Sequence, residues 1–287
     1  MQEKKRGRTH SRWLLPAALV LAGAAWFENF TLSTSTVTAA CAALPEAFSG
    51  LRIVQISDLH GRRFDAESRY LLELVRLQSP DLIALTGDLA DEFTDFSMLP
   101  PLLDGLTALA PTFYVTGNHE WVLSREKREA LFSMLDAAGV VRLQNEYRLL
   151  KKGQASIVLA GVDDPNGPYD QKRPAQLVRE IRQSQGRDAY ILMLSHRNDE
   201  LDLWANMGVQ TVLCGHGHGG IVRLPFVGAV FGTHLDLFPD YTAGLYRKGQ
   251  TSMIVSRGLG GSRKLPLRIG NRPEIVTVIL KAESGKV

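Results

Sequence analysis

The sequence predicts an α/β domain built on a sheet with several parallel strands. Two observations carry that prediction. Short apolar runs rich in Val, Ile and Leu alternate with helix-like segments, and five of these runs end in a polar cluster holding Asp, Asn or His. Such runs suit strands buried on both faces, and strands alternating with helices argue for parallel pairing. Ligands in such sheets gather at the carboxyl ends of strands, where all five clusters fall.

Taken in order, the chain opens with Lys4, Lys5, Arg6, Arg8 and Arg12 against Glu3, a net of +4. The whole chain nets +3, so the remainder nets −1. The basic charge is therefore a terminal cluster rather than a binding face, and no nucleic-acid partner is expected. Residues 13–27 follow with fifteen positions free of charge. A basic region before such a segment reads as a signal anchor or a signal peptide. Fifteen falls short of the ~20 residues of a spanning helix, but the best cleavage site, Ala22-Gly23-Ala24, is unconvincing. The reading adopted is an uncleaved anchor over 1–28, with secretion after cleavage and a buried helix as alternatives. Charge ahead of the segment puts the catalytic part outside the cytoplasm, at the cell membrane.

Residues 31–38 alternate Ser and Thr, as an edge strand or extended stalk within a lead-in of 29–49. Strand-like runs at 51–56, 81–86, 112–115, 189–194 and 209–214 lead into Asp58, Asp88, Asn118, His196 and His216. Helix-like segments occupy 66–78, 101–109, 124–138, 174–183 and 199–207. A further strand at 157–162 ends in Asp163-Asp164-Pro165, a turn. Residues 221–237 read as hairpins, with His234 and Asp236 as loop polars. Arg257, Arg263, Lys264 and Arg268 are ordinary loop cations or phosphate contacts. At 287 residues with 45% apolar content, the chain can bury one large core, and 50–282 is taken as a single catalytic domain.

The clusters are Asp58-Leu59-His60, Gly87-Asp88-Leu89-Ala90-Asp91, Gly117-Asn118-His119-Glu120, Ser195-His196 and Gly215-His216-Gly217-His218. They hold five of the seven histidines. Singly, most have a bland explanation, such as a capped turn or an Asx-turn. Jointly they offer oxygen and imidazole ligands for two metal ions. Donors of this kind without thiolate suit Mn²⁺ best, with Fe or Zn²⁺ as alternatives. Cys214 lies in an apolar strand as a small buried hydrophobe. With Cys41 it makes two cysteines, too few for a disulfide framework.

The order Asp-x-His, Gly-Asp-x-x-Asp, Gly-Asn-His-Glu, His and Gly-His-x-His resembles the calcineurin-like metallophosphoesterases, over roughly residues 50–280. The resemblance extends to a membrane-associated bacterial branch that includes enzymes of the UDP-diacylglucosamine hydrolase type. Gly219-Gly220, Gly244-Leu245-Tyr246, Ser256-Arg257-Gly258-Leu259-Gly260 and Pro273-Glu274 carry that part. Gly217 departs from it, since Thr is common there, and a looser metal loop is expected.

The resemblance implies an α/β/β/α sandwich and hydrolysis of a phosphodiester or pyrophosphate, with a metal-bridging hydroxide as nucleophile. It implies that Asp58, His60 and His218 hold one divalent metal ion, that Asn118, His196 and His216 hold a second, and that Asp88 bridges them. It casts His119 as the group acting on the leaving oxygen and Asp91 as the residue orienting His119. The substrate implied is a phosphorylated small molecule or a lipid-linked one. A second class of function is a membrane-anchored binding or scaffolding protein on a degenerate phosphoesterase fold. The complete ligand set speaks against that class.

Overall fold

The structure, a computed structural model, describes residues 11–233, 235–261 and 268–283; within 11–30 the side chains of 11–15, 17 and 21 are not described. Lys4, Lys5, Arg6, Arg8, His234, Arg263 and Lys264 lie outside the described residues.

The strands are β1 (Ser33–Cys41), β2 (Arg52–Ile56), β3 (Leu82–Thr86), β4 (Thr112–Val115), β5 (Val141–Arg142), β6 (Glu146–Lys152), β7 (Ala155–Gly161), β8 (Ile191–Leu194), β9 (Thr211–Cys214), β10 (Val222–Leu224), β11 (Gly228–Phe231), β12 (Gly244–Lys248), β13 (Thr251–Val255) and β14 (Glu274–Ala282). The helices are α1 (Ser11–Phe30), α2 (Arg69–Leu77), α3 (Leu99–Leu109), α4 (Asn118–Val122), α5 (Arg125–Ala137), α6 (Pro174–Gln185) and α7 (Leu201–Asn206). Two mixed six-stranded sheets form, ordered β1-β14-β2-β3-β4-β5 and β12-β13-β9-β8-β7-β6, with β10-β11 as a separate hairpin. The central pairs β2-β3, β3-β4, β7-β8 and β8-β9 are parallel, as the apolar runs predict.

Alternation along each strand decides the layers. Ile53, Ala84, Phe113, Leu192, Leu194, Leu213, Ile254 and Val278 face one another between the sheets. Val54, Ile83 and Leu85 point outward onto α2, α3 and α5 through Leu71, Val75, Leu102, Leu106 and Leu131. Ile191, Met193, Val212 and Met253 point the other way onto α6 and α7, through Leu177, Ile181 and Trp204. The result is the expected α/β/β/α order. Gln55, on the inner face of β2, donates through Nε2 to Cys214 O across the gap at 2.8 Å and to Thr86 Oγ1 at 3.0 Å. That buried amide ties the two sheets together just beneath the strand ends that carry the clusters.

Residues 33–41 are an edge strand, paired in parallel with β14 along its whole length, so the lead-in is part of the folded domain rather than a stalk. The expected membrane anchor is corrected. Among the described residues no helix is long and apolar enough to cross a membrane. The charge-free run is only fifteen residues long, Pro16 lies inside α1, and the helix closes on Glu28 and Asn29, whose side chains bond to the domain. The extracytoplasmic placement rested on that anchor and falls with it.

Candidate metal centre

The loops after β2, β3, β4, β8 and β9 converge where the two sheets meet. Three donor groups form there: Asp58, His60 and His218; Asp88, His196 and His216; and His60, Asp88 and His119. Within each, one ligand atom per residue lies within 4.8 Å of the others. Asp88 is common to two groups, with Oδ2 3.2 Å from His196 Nε2 and 3.6 Å from His60 Nε2. His218 Nε2 lies 3.6 Å from Asp58 Oδ1, and His216 Nδ1 lies 3.1 Å from His196 Nε2.

Orphaned atoms test whether these residues fit metal ions. His60 Nε2 and Asn118 Oδ1 are buried without a hydrogen-bond partner. Buried polar atoms are normally satisfied, so these await one. His196 Nδ1 donates to Thr86 O at 2.8 Å, because a carbonyl only accepts. That bond leaves Nε2 of the neutral ring free to ligate. The structure thus brings six of the expected ligands, Asp58, His60, Asp88, His196, His216 and His218, into the donor groups, with Asn118 next in the chain to His119 of the third group, and the donor set fits two divalent ions.

Tight backbone turns aim these side chains. Asp58, His60, Asp88, His216 and His218 all have φ between 48° and 65°, a left-handed conformation uncommon outside glycine. A Cβ at Gly117 would collide with Asp88 Oδ1, and one at Gly215 with Asp58 Oδ2. Gly217 has its own reason: a Cβ there would come 2.6 Å from Asn198 Nδ2, which is held by Tyr241 O at 2.8 Å.

Three supporting residues differ from expectation or were missed. Asp91 Oδ2 lies 3.8 Å from His60 Nδ1, so Asp91 faces His60 and does not orient His119 as expected. That separation is beyond hydrogen-bond reach, and His60 Nδ1 has no hydrogen-bond partner. Glu120 was not singled out, yet its buried carboxylate accepts from the N–H groups of Gly117 (2.7 Å), Asp88 (3.0 Å), Leu89 (2.8 Å) and Ala90 (3.3 Å). It locks the Asp88 loop to the Asn118 loop. Its one sequence signal was the Glu of Gly-Asn-His-Glu. Arg197 was also missed; Asp164 grips its guanidinium at 2.6 and 3.0 Å, and Nη1 lies 3.0 Å from His216 Nε2.

Of the loop cations, Arg257 and Arg268 are held by other partners. Arg257 pairs with Glu274 at 3.0 Å, and Arg268 is buried against backbone carbonyls. Asp163 accepts from Thr116 Oγ1 at 2.7 Å and so steadies the residue before Gly117. Asp236 lines a cavity of about 350 Å³ that opens beside His216.

Shared nitrogen and oxygen donors at the meeting ends of two sheets form a candidate metal centre of the metallophosphoesterase kind. The sequence profile described as calcineurin-like phosphoesterase matches residues 51–220, and the chain belongs to that family. It is 30% identical to "Uncharacterized metallophosphoesterase YkuE" of Bacillus subtilis over 90% of this chain and 89% of that one. It is 31% identical to "Phosphodiesterase YaeI" of Escherichia coli over 80% of this chain and 82% of that one. A Danio rerio relative, "Transmembrane protein with metallophosphoesterase domain", is 27% identical over 83% of this chain and 55% of that one, which lends the membrane branch only loose support. Among solved structures, TT1561 of Thermus thermophilus gives a TM-score of 0.46 at 15% identity, over 74% of this chain and 91% of that one.

Protonation follows from the burial of the centre. Burial and neighbouring imidazoles push the pKa of His60 down to about 4. Burial and Arg268 push that of His218 down to about 3. Burial also lowers that of His216. Burial opposes charge on His196 too, but the Asp88 and Asp58 carboxylates outweigh it and raise its pKa to about 10. At pH 7 the metal-free centre therefore holds its ligand proton on His196. A ligating imidazole must be neutral, so metal loading displaces that proton. Affinity should rise by about tenfold per pH unit through neutrality and level off near pH 10. Calorimetry in buffers of different ionisation enthalpy checks this; about one proton released at pH 7 is expected, and none released would refute the His196 assignment.

Metal content gives a second check. After Mn²⁺ loading and desalting, elemental analysis should find about two ions per chain. Asp88→Asn should lose both, whereas His60→Ala should retain one. Equal retention by the two variants would remove Asp88 as the bridge.

Proposed function

We propose that this chain is a metal-dependent phosphodiesterase acting on a phosphodiester or pyrophosphate of a phosphorylated small molecule or lipid-linked substrate. The observation that carries this is the cluster of donor groups that share Asp88, with the orphaned Asn118 Oδ1 on the adjoining turn. Mn²⁺ is the metal proposed, with Fe or Zn²⁺ as alternatives for the same donors. Bound there, two divalent ions would clamp the phosphoryl group and acidify the attacking water.

The chain's own residues supply the rest. Asn118 contributes a neutral oxygen, which limits negative charge facing an anionic ester. Asp91 stands 3.8 Å from His60, the Thr86 carbonyl sets the tautomer of His196, and Glu120 fixes Asp88 against Gly117. His119 stands with its ring edge-on to His60, centroids 4.7 Å apart. Its main-chain N–H donates to Asp88 Oδ1 at 2.8 Å, and its buried ring Nδ1 has no hydrogen-bond partner. In this reading His119 gives a proton to the leaving oxygen. The cavity beside His216 takes the polar leaving group. The exposed Leu224, Phe226, Phe231, Leu235, Leu237 and Phe238 on the neighbouring segment suit an ester with an apolar portion.

Hydrolysis of monoesters, diesters and pyrophosphates by Mn²⁺-loaded protein tests the class. No turnover of any would return the scaffolding alternative. His119→Ala should keep its metal and lose about 10²–10⁴-fold in kcat. The loss should be larger for alkyl leaving groups than for p-nitrophenolate, which needs little protonation. Equal losses on the two would assign His119 to positioning the phosphoryl group.

A further inference from the structure

Arg268 is a buried cation that pairs with no carboxylate among the described residues. Its guanidinium is spent on main-chain carbonyls: Gly260 at 3.0 Å, Arg257 at 2.8 Å, Gly258 and His218 at 3.3 Å each, and Asn271 at 3.4 Å. Asn271 Nδ2 reinforces this by donating to His218 O at 2.8 Å and Gly220 O at 2.6 Å. The Gly260 loop in turn donates to Asp58 O at 2.6 Å, and Leu259 N donates to Ser57 O at 3.0 Å. One guanidinium and one amide thus hold the backbone of His218 and, through Gly260, that of Asp58.

The end of α1 closes the arrangement. Asn29 is 4% exposed and forms a reciprocal pair with the Arg268 backbone: Arg268 N donates to Oδ1 at 2.8 Å, and Nδ2 donates to Arg268 O at 3.1 Å. Glu28 Oε2 accepts from Asn271 N at 3.0 Å. Arg62, two residues beyond His60, donates to Asn29 O and stacks on Phe30 with its guanidinium carbon 5.5 Å from the ring centre. All these contacts converge on the loops of Asp58, His60 and His218. The loops of Asn118 and His196 are held instead by Glu120, Asp163 and Thr86.

We infer that the last turn of α1 is a working part of the metal centre. Through Asn29, Arg268 and Asn271 it positions the Asp58–His60–His218 half-site and not the Asn118–His196 side. Arg268 and Asn29 are positioning residues: they touch the carbonyls behind the ligands and no substrate. The inference rests on the dinuclear reading above. Its physical basis is that a left-handed ligand loop stays aimed only while its carbonyls are held, and outer-shell partners of metal ligands are worth about 10–100-fold in affinity.

Calorimetric Mn²⁺ titration of the full chain in two backgrounds tests it. In His196→Ala, which leaves the first half-site, Asn29→Ala should weaken Mn²⁺ binding about 10–100-fold. In His60→Ala, which leaves the second, Asn29→Ala should change little. Equal weakening in the two backgrounds, or weakening in neither, would overturn the inference. Hydrogen exchange of metal-free protein with native ligands gives a separate readout. Asn29→Ala and Arg268→Lys should speed exchange at the amides of 218–220 and not at 87–90, and a uniform or absent change would overturn the inference. If the native chain binds no Mn²⁺, the dinuclear reading fails, while exchange still decides whether the clamp exists.

Discussion

Two carboxylates, Asp58 and Asp88, sit 0% and 1% exposed where the sheets meet, and much of the surrounding structure answers to the cost of burying them. An ionised group in the interior must be paired or hydrogen-bonded. Neither has a Lys or Arg ion-pair partner among the described residues; their close neighbours are the imidazoles of His60, His196 and His218. Main-chain donors share the load, His216 N to Asp58 at 3.0 Å and His119 N to Asp88 at 2.8 Å. Divalent cations bound to these donors would complete the balance. The pKa of Asp88 is held down against burial by His196, so in the metal-free state a proton on His196 supplies part of the missing charge.

That requirement explains the local backbone. Side chains from five loops reach one point, and the three loops after β2, β3 and β9 turn sharply to do so, which puts Asp58, His60, Asp88, His216 and His218 in the left-handed region. Each non-glycine residue there costs on the order of 1–2 kcal/mol, least for Asp, Asn and His. The residues that make good ligands are therefore also those that tolerate the turn. Gly117 and Gly215 stand where a neighbouring carboxylate leaves no room for a Cβ. Glu120 closes the turn from beneath by collecting four N–H groups. With so many donors spent on it, the loop can hold its strain.

Period and composition carried the strands, since a strand buried on two faces must be apolar throughout. β4 begins and ends where its apolar run does, and β2, β3, β8 and β9 fall inside theirs. The ligands were legible because Asp, Asn and His at strand ends have few structural uses in common. Division into two sheets was not legible from the runs: β3 and β8 read alike although Leu85 packs outward onto α3 and Leu194 packs between the sheets. Partners of supporting residues were equally hidden. Asp91 reaches His60 and Glu120 reaches Asp88, contacts set by loop curvature rather than spacing. The anchor reading failed because charge and length describe a segment alone, whereas Glu28 and Asn29 find their partners some 240 residues away.

Cations were the hardest to place, and their placement carries a physical point. A Lys or Arg against Asp58 or Asp88 would satisfy the carboxylate and compete with metal. The guanidiniums stand one layer back instead. Arg257 is committed to Glu274, Arg268 to carbonyls, and Arg197 to Asp164 with Nη1 3.0 Å from His216. From there the charges of Arg197 and Arg268 act on His216 and His218 without occupying the ligands. Arg268 shows the trade plainly. Burial lowers its pKa to about 9, yet it stays charged at neutral pH, and that charge helps keep His218 neutral. A guanidinium behind the ligand loop thus does two things at once: it fixes the backbone and removes the proton that would compete with metal.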